Sequence, residues 1–300
     1  MAPPTQRSKV VIIVNDKIMN KPLIGFIGQG FIGKNYADDF EMRGHSVVRY
    51  SLEEPHINNK EKIADCDIVF IAVNANTTQN GFDDSNIRSG LSIVGKGKVV
   101  VIKSTLPPGM TKKFQEDFPG ITILFSPEFL SEVTAAHDAA NPFSNIVGLP
   151  VEDEIHRLAA TQVHEVLPAA PFALTCDSDE AEIVKYAHNV AGFFQVVAFN
   201  LMYDVAKNLG HDWENIKKAL TADPFINKSY INPVHKTGRG AGGHCFIKDL
   251  AAFADVYEKL VNDKEGVAVL RALESKNIKL LRDSNKDIDL LSGVYGEGNI

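Results

Sequence analysis

Cysteine is scarce in this sequence. The three residues, Cys66, Cys176 and Cys245, lie far apart, with no CxxC pair and no Cys/His spacing of the kind that holds a metal. Neither a disulfide framework nor a metal site is therefore expected. An odd cysteine count points to a reducing compartment, in which one thiol stays free to react. Long apolar runs are missing as well: none approaches the roughly 20 residues that cross a bilayer. The stretch Val10–Val14 near the start lacks the length and the small-residue cleavage pattern of a signal peptide. A cytoplasmic protein with no membrane partner is the expectation. The third absence is a basic surplus. A formal net charge of −7 speaks against a nucleic-acid partner, whose phosphates need an excess of Lys and Arg. A few local cations and backbone N–H groups still suffice for an anionic small molecule.

What is present is material for a core. The 300 residues are 44% hydrophobic and 23% charged, the balance of a soluble globular chain, and the length suits roughly two domains. From Lys21 onward strands alternate with helices: LIGFIG, a helix from Phe31 to Arg43, HSVVRY, DIVFIAV, KVVVIKST, ITILFSPE and NIVGL. Continuous β-branched runs such as DIVFIAV suit strands covered on both faces. The alternation implies an α/β fold, a Rossmann-like doubly wound parallel sheet with its ligand at the carboxyl ends of the strands. Between Tyr50 and Asp67 there is room for only a short helix. After Cys176 the period changes. Asp179–Leu209 reads as a long helix, with Asp177, Ser178 and Asp179 as cap candidates and Gly210 as its stop. Asp212–Ala222, Phe246–Leu260 and Gly266–Lys286 follow as helices, with a turn- and glycine-rich stretch from Asp223 to His244. The expected division is an N-terminal extension over residues 1–20, the sheet domain over 21–176 and an all-helical domain over 177–300.

Gly28-Gln29-Gly30-Phe31-Ile32-Gly33 is a GxGxxG between the first strand and the first helix. Its first glycine permits a tight turn, the second lets a pyrophosphate approach the backbone, and the third lets helix and strand pack closely. The helix start then offers unpaired N–H groups to the phosphates. An acidic residue is expected roughly 20 positions on, to hold the ribose hydroxyls. Ser51 stands there, with Arg49 before it and Glu53 and Glu54 after it. Serine neither binds both hydroxyls as a carboxylate does nor repels a 2′-phosphate, and Glu53 substitutes if the turn brings it back. NAD is favoured and NADP stays open.

Four further segments follow in order: VIKSTLPPGM, SPEFLSEVTA, EAEIVKYAHN and GAGGHCFIKD. Together with the glycine fingerprint they resemble the UDP-glucose/GDP-mannose dehydrogenase family, over most of the span from Lys21 to Asp255. The resemblance implies oxidation of a nucleotide sugar's primary alcohol to the carboxylate by two hydride transfers, in a homodimer paired through its helical region. A double oxidation needs a group that holds the aldehyde between the two steps. Cys245 sits at a glycine-rich loop where a helix start favours its thiolate. Its sulfur would trap the aldehyde as a thiohemiacetal, which loses the second hydride and becomes a thioester for water to cleave. Burial is the commoner fate of a free cysteine, and is the reading for Cys66 and Cys176.

Lys185 and Asn189, four apart on the long helix, share one face. The resemblance casts them as donors to the developing alkoxide or oxyanion; a solvated helix face is the ordinary alternative for such a lysine. Asp249, one turn after Cys245, would join Lys185 in a base relay, or serve only as a first-turn acid facing the helix dipole. By the same resemblance Glu128 activates the water for thioester hydrolysis, Thr105 positions that water, and Ser104 and Glu132 contact the cofactor. Without it Ser104 and Thr105 read as turn residues. Val73, Asn74 and Thr77, after the third strand, would border the cofactor's riboses. Phe129, Leu130, Lys185, Asn189, Lys236, Arg239 and Gly242 make up the expected substrate contacts.

Two departures bear on the substrate. Phe225, in DPFINKSYINP, stands where the family has an arginine that reaches a neighbouring subunit's substrate; Lys236 or Arg239 could supply the missing charge. The family also continues into a further α/β domain that grips the nucleotide, whereas only DIDLLSGVYGEGNI follows the last long helix here. Three readings remain open: a compact nucleotide-sugar dehydrogenase, a single-step dehydrogenase of a smaller sugar or hydroxyacid, and a non-catalytic relative. Cys245 favours the first, because a single hydride transfer needs no nucleophile.

Overall fold

The computed structural model describes residues 21–78 and 81–296; the expected N-terminal extension, with Val10–Val14, lies outside them. Strand β1 (Ile24–Ile27), helix α1 (Phe31–Met42) and strand β2 (Val47–Tyr50) come first. A 3-10 helix (Ile57–Asp65) fills the short interval before β3 (Ile68–Ile71), and β4 (Asn76–Thr78) and β5 (Gly81–Asp83) form an antiparallel hairpin. Next are α2 (Ser85–Leu91), β6 (Val99–Ile102), α3 (Met110–Asp117), β7 (Thr122–Phe125) and α4 (Ala135–Ala140). Strand β8 (Ser144–Leu149), α5 (Glu154–Val166) and β9 (Phe172–Asp177) complete the α/β part.

The seven-stranded sheet has the order β2-β1-β3-β6-β7-β8-β9. Side chains alternate between its faces as the pleat demands. Phe26, Phe70, Val101 and Leu124 point to the face covered by α1 and α5, and Ile27, Val69, Ile71, Val100, Ile102 and Ile123 to the other. Each such side chain, once buried, contributes about 1.5–3 kcal/mol, which is why both faces must be covered. The sheet is doubly wound as expected, with one reversal: β7 and β8 are antiparallel, while the other pairs are parallel. The reason is the route of the chain. After β7 it runs through α4, which packs on α1, so no crossover carries it back along the sheet before β8 starts. Strand β9 and helix α5 carry no motif and were not singled out by the sequence.

Asp177 ends β9 and also caps α6 (Ser178–Asn208), in a reciprocal box with Glu180, so strand passes into helix without a loop. Gly210, at φ +76°, closes that helix in the left-handed conformation glycine tolerates. Helix α7 (Trp213–Ala222) and strands β10 (Val234–His235) and β11 (Gly238–Arg239) follow. The last three elements are α8 (Gly243–Leu260), α9 (Lys264–Asp283) and α10 (Ile288–Tyr295). The second half is helical except for the β10–β11 ribbon, which lies in the glycine-rich stretch. Helix α8 starts at Gly243, three residues before the expected Phe246, and Cys245 therefore lies in its first turn. The two halves meet where α6 packs on β7 and β8, and where α8 and α10 pack on β4. Among the described residues no helix is long and apolar enough to cross a membrane.

Candidate active site

The glycine turn has the geometry a dinucleotide needs. Gly28 has φ +91°, and a Cβ there would lie 2.3 Å from the Ala72 carbonyl oxygen. At Gly33 a Cβ would lie 1.9 Å from the Gly28 oxygen, so helix and turn are in backbone contact. Among the described residues nothing lies within 4 Å of the corresponding point at Gly30; that open space is where a pyrophosphate can meet the first turn of α1. No side chain among the described residues caps that turn, leaving its N–H groups for an anion. Phe31 begins the helix, partly exposed, and Ile32 packs into the core. A cavity of about 790 Å³ opens beside the turn, lined among others by Gln29, Arg49, Ser51, Glu53, Val73 and Asn74. The residues present therefore fit the cofactor. At the end of β2 the Ser51 hydroxyl donates to the Glu53 carbonyl at 2.9 Å and accepts from its N–H at 3.4 Å. This turn brings Glu53 back to the cavity wall. Arg49 is held by Asp38 and Glu41.

At the same end of the sheet, side chains from distant segments converge around Cys245. Glu128 follows β7 and is buried, as are Lys185 and Asn189 on α6 and Asp249 on α8. The Lys185 ammonium donates to the Glu128 carboxylate at 2.8 Å and to its carbonyl at 2.6 Å. The other Glu128 oxygen accepts from Leu130 N–H at 2.8 Å. Asn189 donates to Asp249 Oδ2 at 2.5 Å, and Lys248 to Asp249 Oδ1 at 2.7 Å. Burial works against the charge on Lys185, but the carboxylates of Glu128 and Asp249 outweigh it and hold its pKa above the usual lysine value. Cys245 is exposed at the edge of this cluster. Its thiol is pushed up by the surrounding protein mass and by Asp249, against the pull of Lys185 and Lys248. The helix start does not by itself deliver the thiolate, because burial is the largest influence on the thiol and works against its ionisation.

The remaining predicted residues divide. Ser104 donates to the Val73 carbonyl at 2.7 Å and accepts from the Val73 N–H at 3.0 Å, so its hydroxyl braces the loop after β3. Thr105, next along, is half-buried, and Thr77 is buried on β4. Glu132 pairs with Lys236 at 2.5 Å, a link between the loop after β7 and the β10–β11 ribbon. Phe129 packs against His188 and Phe143, with the Lys185 ammonium 5.5 Å from its ring centre. Gly242 caps α8. Arg239 does not supply the expected free charge: its guanidinium is bound to Asn200 and, at 2.6 Å, to Asp204 on the outer part of α6. Phe225 is almost fully exposed.

Two buried groups escaped the sequence reading. Lys103, in the VIKST segment, is 2% exposed, with its ammonium 3.3 Å from both Ser126 oxygens and 4.4 Å from the Tyr36 ring centre. Burial pushes its pKa down to about 8. Glu182, three residues before Lys185, accepts from Gly109 N–H, Thr111 N–H and the Thr111 hydroxyl, and so caps α3. Burial pushes its carboxyl up to about 7. Their signal was a charged residue amid apolar neighbours, which sequence alone does not separate from a solvated one.

Residues 54–167 match the UDP-glucose/GDP-mannose dehydrogenase family, NAD binding domain, and residues 179–278 match the central domain of that family. The chain belongs to the UDP-glucose/GDP-mannose dehydrogenase family. The glycine fingerprint lies ahead of the first matched span, and NAD is the cofactor that span's description names. A UDP-glucose 6-dehydrogenase of Streptococcus pneumoniae is 30% identical over 70% of this chain and 55% of its own length. One of Campylobacter jejuni is 33% identical over 68% of this chain and 53% of its own. The chain thus spans about half the length of these curated relatives. Among solved structures, a UDP-glucose dehydrogenase of the archaeon Pyrobaculum islandicum superposes with a TM-score of 0.74 at 24% identity, covering 88% of this chain and 69% of that one. This last likeness concerns the fold.

Proposed function

We propose that this protein oxidises the primary alcohol of a UDP-glucose-like nucleotide sugar to the carboxylate, in two hydride transfers, with Cys245 as covalent catalyst. The observation that carries the reading is the charge cluster at Cys245: a buried acid–base pair, Lys185 with Glu128, and a second of half-buried Lys248 with buried Asp249, both acting on the thiol. NAD, when bound, accepts each hydride. The turn from Gly28 to Gly33 and the first turn of α1 would hold its pyrophosphate, with Glu53 and Ser51 toward the adenosine ribose and Val73 to Thr77 along the rest.

Lys185 stays protonated under its two carboxylates, which suits it to stabilise an alkoxide or thiohemiacetal oxyanion with Asn189 beside it. The alcohol proton then passes to the Asp249 carboxylate, one helical turn from the sulfur. The Cys245 thiolate adds to the aldehyde carbon, and loss of the second hydride leaves a thioester. Glu128, held by Lys185 and the Leu130 N–H, takes a proton from the water that cleaves the thioester, with Thr105 positioning that water. Acid is released and the thiolate restored. Two copies would pair through α6, whose Leu201, Met202 and Val205 form an exposed apolar stripe with Leu209 at its cap; a monomeric mass in solution would remove that part of the reading.

The test is a titration of the purified chain with NAD against a panel of UDP- and GDP-sugars, reading absorbance of the reduced cofactor. Two reduced cofactors per sugar consumed are expected. One per sugar would reassign the protein to single-step oxidation, and none with any sugar or hydroxyacid would make it a non-catalytic relative.

A further inference from the structure

The loop that delivers Cys245 is held from outside by the end of α9 and the residues just after it. Four residues of the loop, Arg239, Gly240, Ala241 and Gly243, are engaged. Arg239 N–H donates to Ser284 Oγ at 3.0 Å, and the Gly240 carbonyl accepts from Lys286 Nζ at 3.0 Å. Asn277 takes both ends of Ala241, its Oδ1 accepting from the N–H at 2.7 Å and its Nδ2 donating to the carbonyl at 2.9 Å. Gly243 N–H, the first of α8, donates to Asp287 Oδ2 at 2.8 Å. The glycines of the loop make room for these partners: a Cβ at Gly238 would lie 2.5 Å from Ser284 Oγ, and one at Gly242 2.0 Å from Asp287 Oδ2. Asn277 and Lys286 are buried, and Asp287 itself sits at φ 55°, a left-handed conformation that costs a non-glycine residue unless its surroundings hold it. Leu291 of α10 packs with Ile247 of α8 and Leu281 of α9, which fixes the segment that carries Asp287.

Gly243 and Cys245 share the first turn of α8. The partial positive charge of that turn is what favours a thiolate, and the Asp287 carboxylate is placed on one of its N–H groups. We propose that Asp287, with Lys286 and Asn277, is a positioning clamp for the thiol loop, fixing where the Cys245 sulfur stands and holding back its ionisation. The groups that otherwise face the thiol are Asp249 and Lys248 from α8, Lys185 from α6 and Glu128 from the loop after β7, two negative and two positive. Asp287 stands apart from these four, on the N–H of the first residue of α8, with Lys286 and Lys236 as the cations that feel its charge. The effect on turnover rests on the reading of Cys245 as nucleophile; the effect on the thiol does not.

The experiment is alkylation of the full chain with iodoacetamide between about pH 6 and about pH 10, following the Cys245 peptide by mass spectrometry. D287N retains an oxygen acceptor for the Gly243 N–H and removes the charge; D287A removes both. The alkylation midpoint should fall by about half a pH unit in D287N, the size of a charge at a helix end. In D287A sugar oxidation should lose kcat on the order of tenfold with KM little changed, and D287N should recover most of it. An unmoved midpoint in D287N overturns the tuning role, and full kcat in D287A overturns the clamp. Should D287A fail to fold, the D287N midpoint still decides. A shifted midpoint in a protein that oxidises no sugar would uphold the clamp and defeat the proposed reaction.

Discussion

The glycine turn after β1 and the thiol cluster at the start of α8 are built from different parts of the chain. The turn is backbone within six consecutive residues: a left-handed φ at Gly28, an open approach at Gly30 and a helix packed against the turn at Gly33. The cluster is side chains, gathered from the loop after β7, the N-terminal part of α6 and the first two turns of α8, and braced by α9 and Asp287. A site of the first kind is specified by what must be absent, namely Cβ atoms. One of the second kind is specified by charges that must be paired wherever burial removes water. Substitution should therefore damage the two in different currents of the reaction, one in cofactor affinity and the other in rate.

The sharpest contrast is expected from Lys185→Ala. Removing a buried cation that in the proposed reaction would face the oxyanion should lower kcat on the order of 10²-fold, with NAD affinity unchanged by calorimetric titration. A parallel loss of NAD affinity would move Lys185 to the cofactor half and blur the division. Gly33→Ala should act the other way. A Cβ 1.9 Å from the Gly28 oxygen must push helix and turn apart, and NAD binding should weaken on the order of tenfold, about 1.4 kcal/mol. Iodoacetamide should still reach Cys245 at the wild-type rate; a slowed rate would mean that the two regions are mechanically one.

A third effect, which touches neither affinity nor rate, is on stability, at the Glu182 cap between α6 and α3. Burial raises its folded pKa to about 7, well above the usual carboxylate range. The folded state thus holds this proton more tightly than the unfolded chain does. The contribution to stability is fully present below the unfolded value and is lost as pH rises through about 7. Thermal unfolding should record a fall on the order of 1–3 kcal/mol across that window. Glu182→Gln should flatten it. Because an amide nitrogen would then face the Gly109 N–H, the variant should also unfold at a lower temperature throughout. A slope that survives the substitution would assign the pH dependence elsewhere.

These differences explain how far the sequence could be read. The strand pattern, the fingerprint and the long α6 helix were legible because each depends on neighbours in sequence: β-branched runs, glycine spacing, and cap candidates at Asp177, Ser178 and Asp179 followed by apolar periodicity. The antiparallel β8 was not, since the direction of a strand follows from where α4 docks. Lys185, Asn189, Cys245 and Asp249 were legible only through short motifs that resemble a family. What each touches was not. Arg239 shows the gap: its position in the glycine-rich stretch suggested a charge for the substrate, and the folded chain gives that charge to Asp204. Asp287 carried no local signal, because its partner is 44 residues earlier.

The central claim is that one sulfur carries the second oxidation. Cys245→Ser, mixed with NAD and a UDP-sugar that the wild-type chain oxidises, tests it by product analysis. The account predicts that a first hydride still passes, giving at most one reduced NAD per sugar, and that acid formation falls by roughly 10³-fold. Acid at the wild-type yield would contradict it.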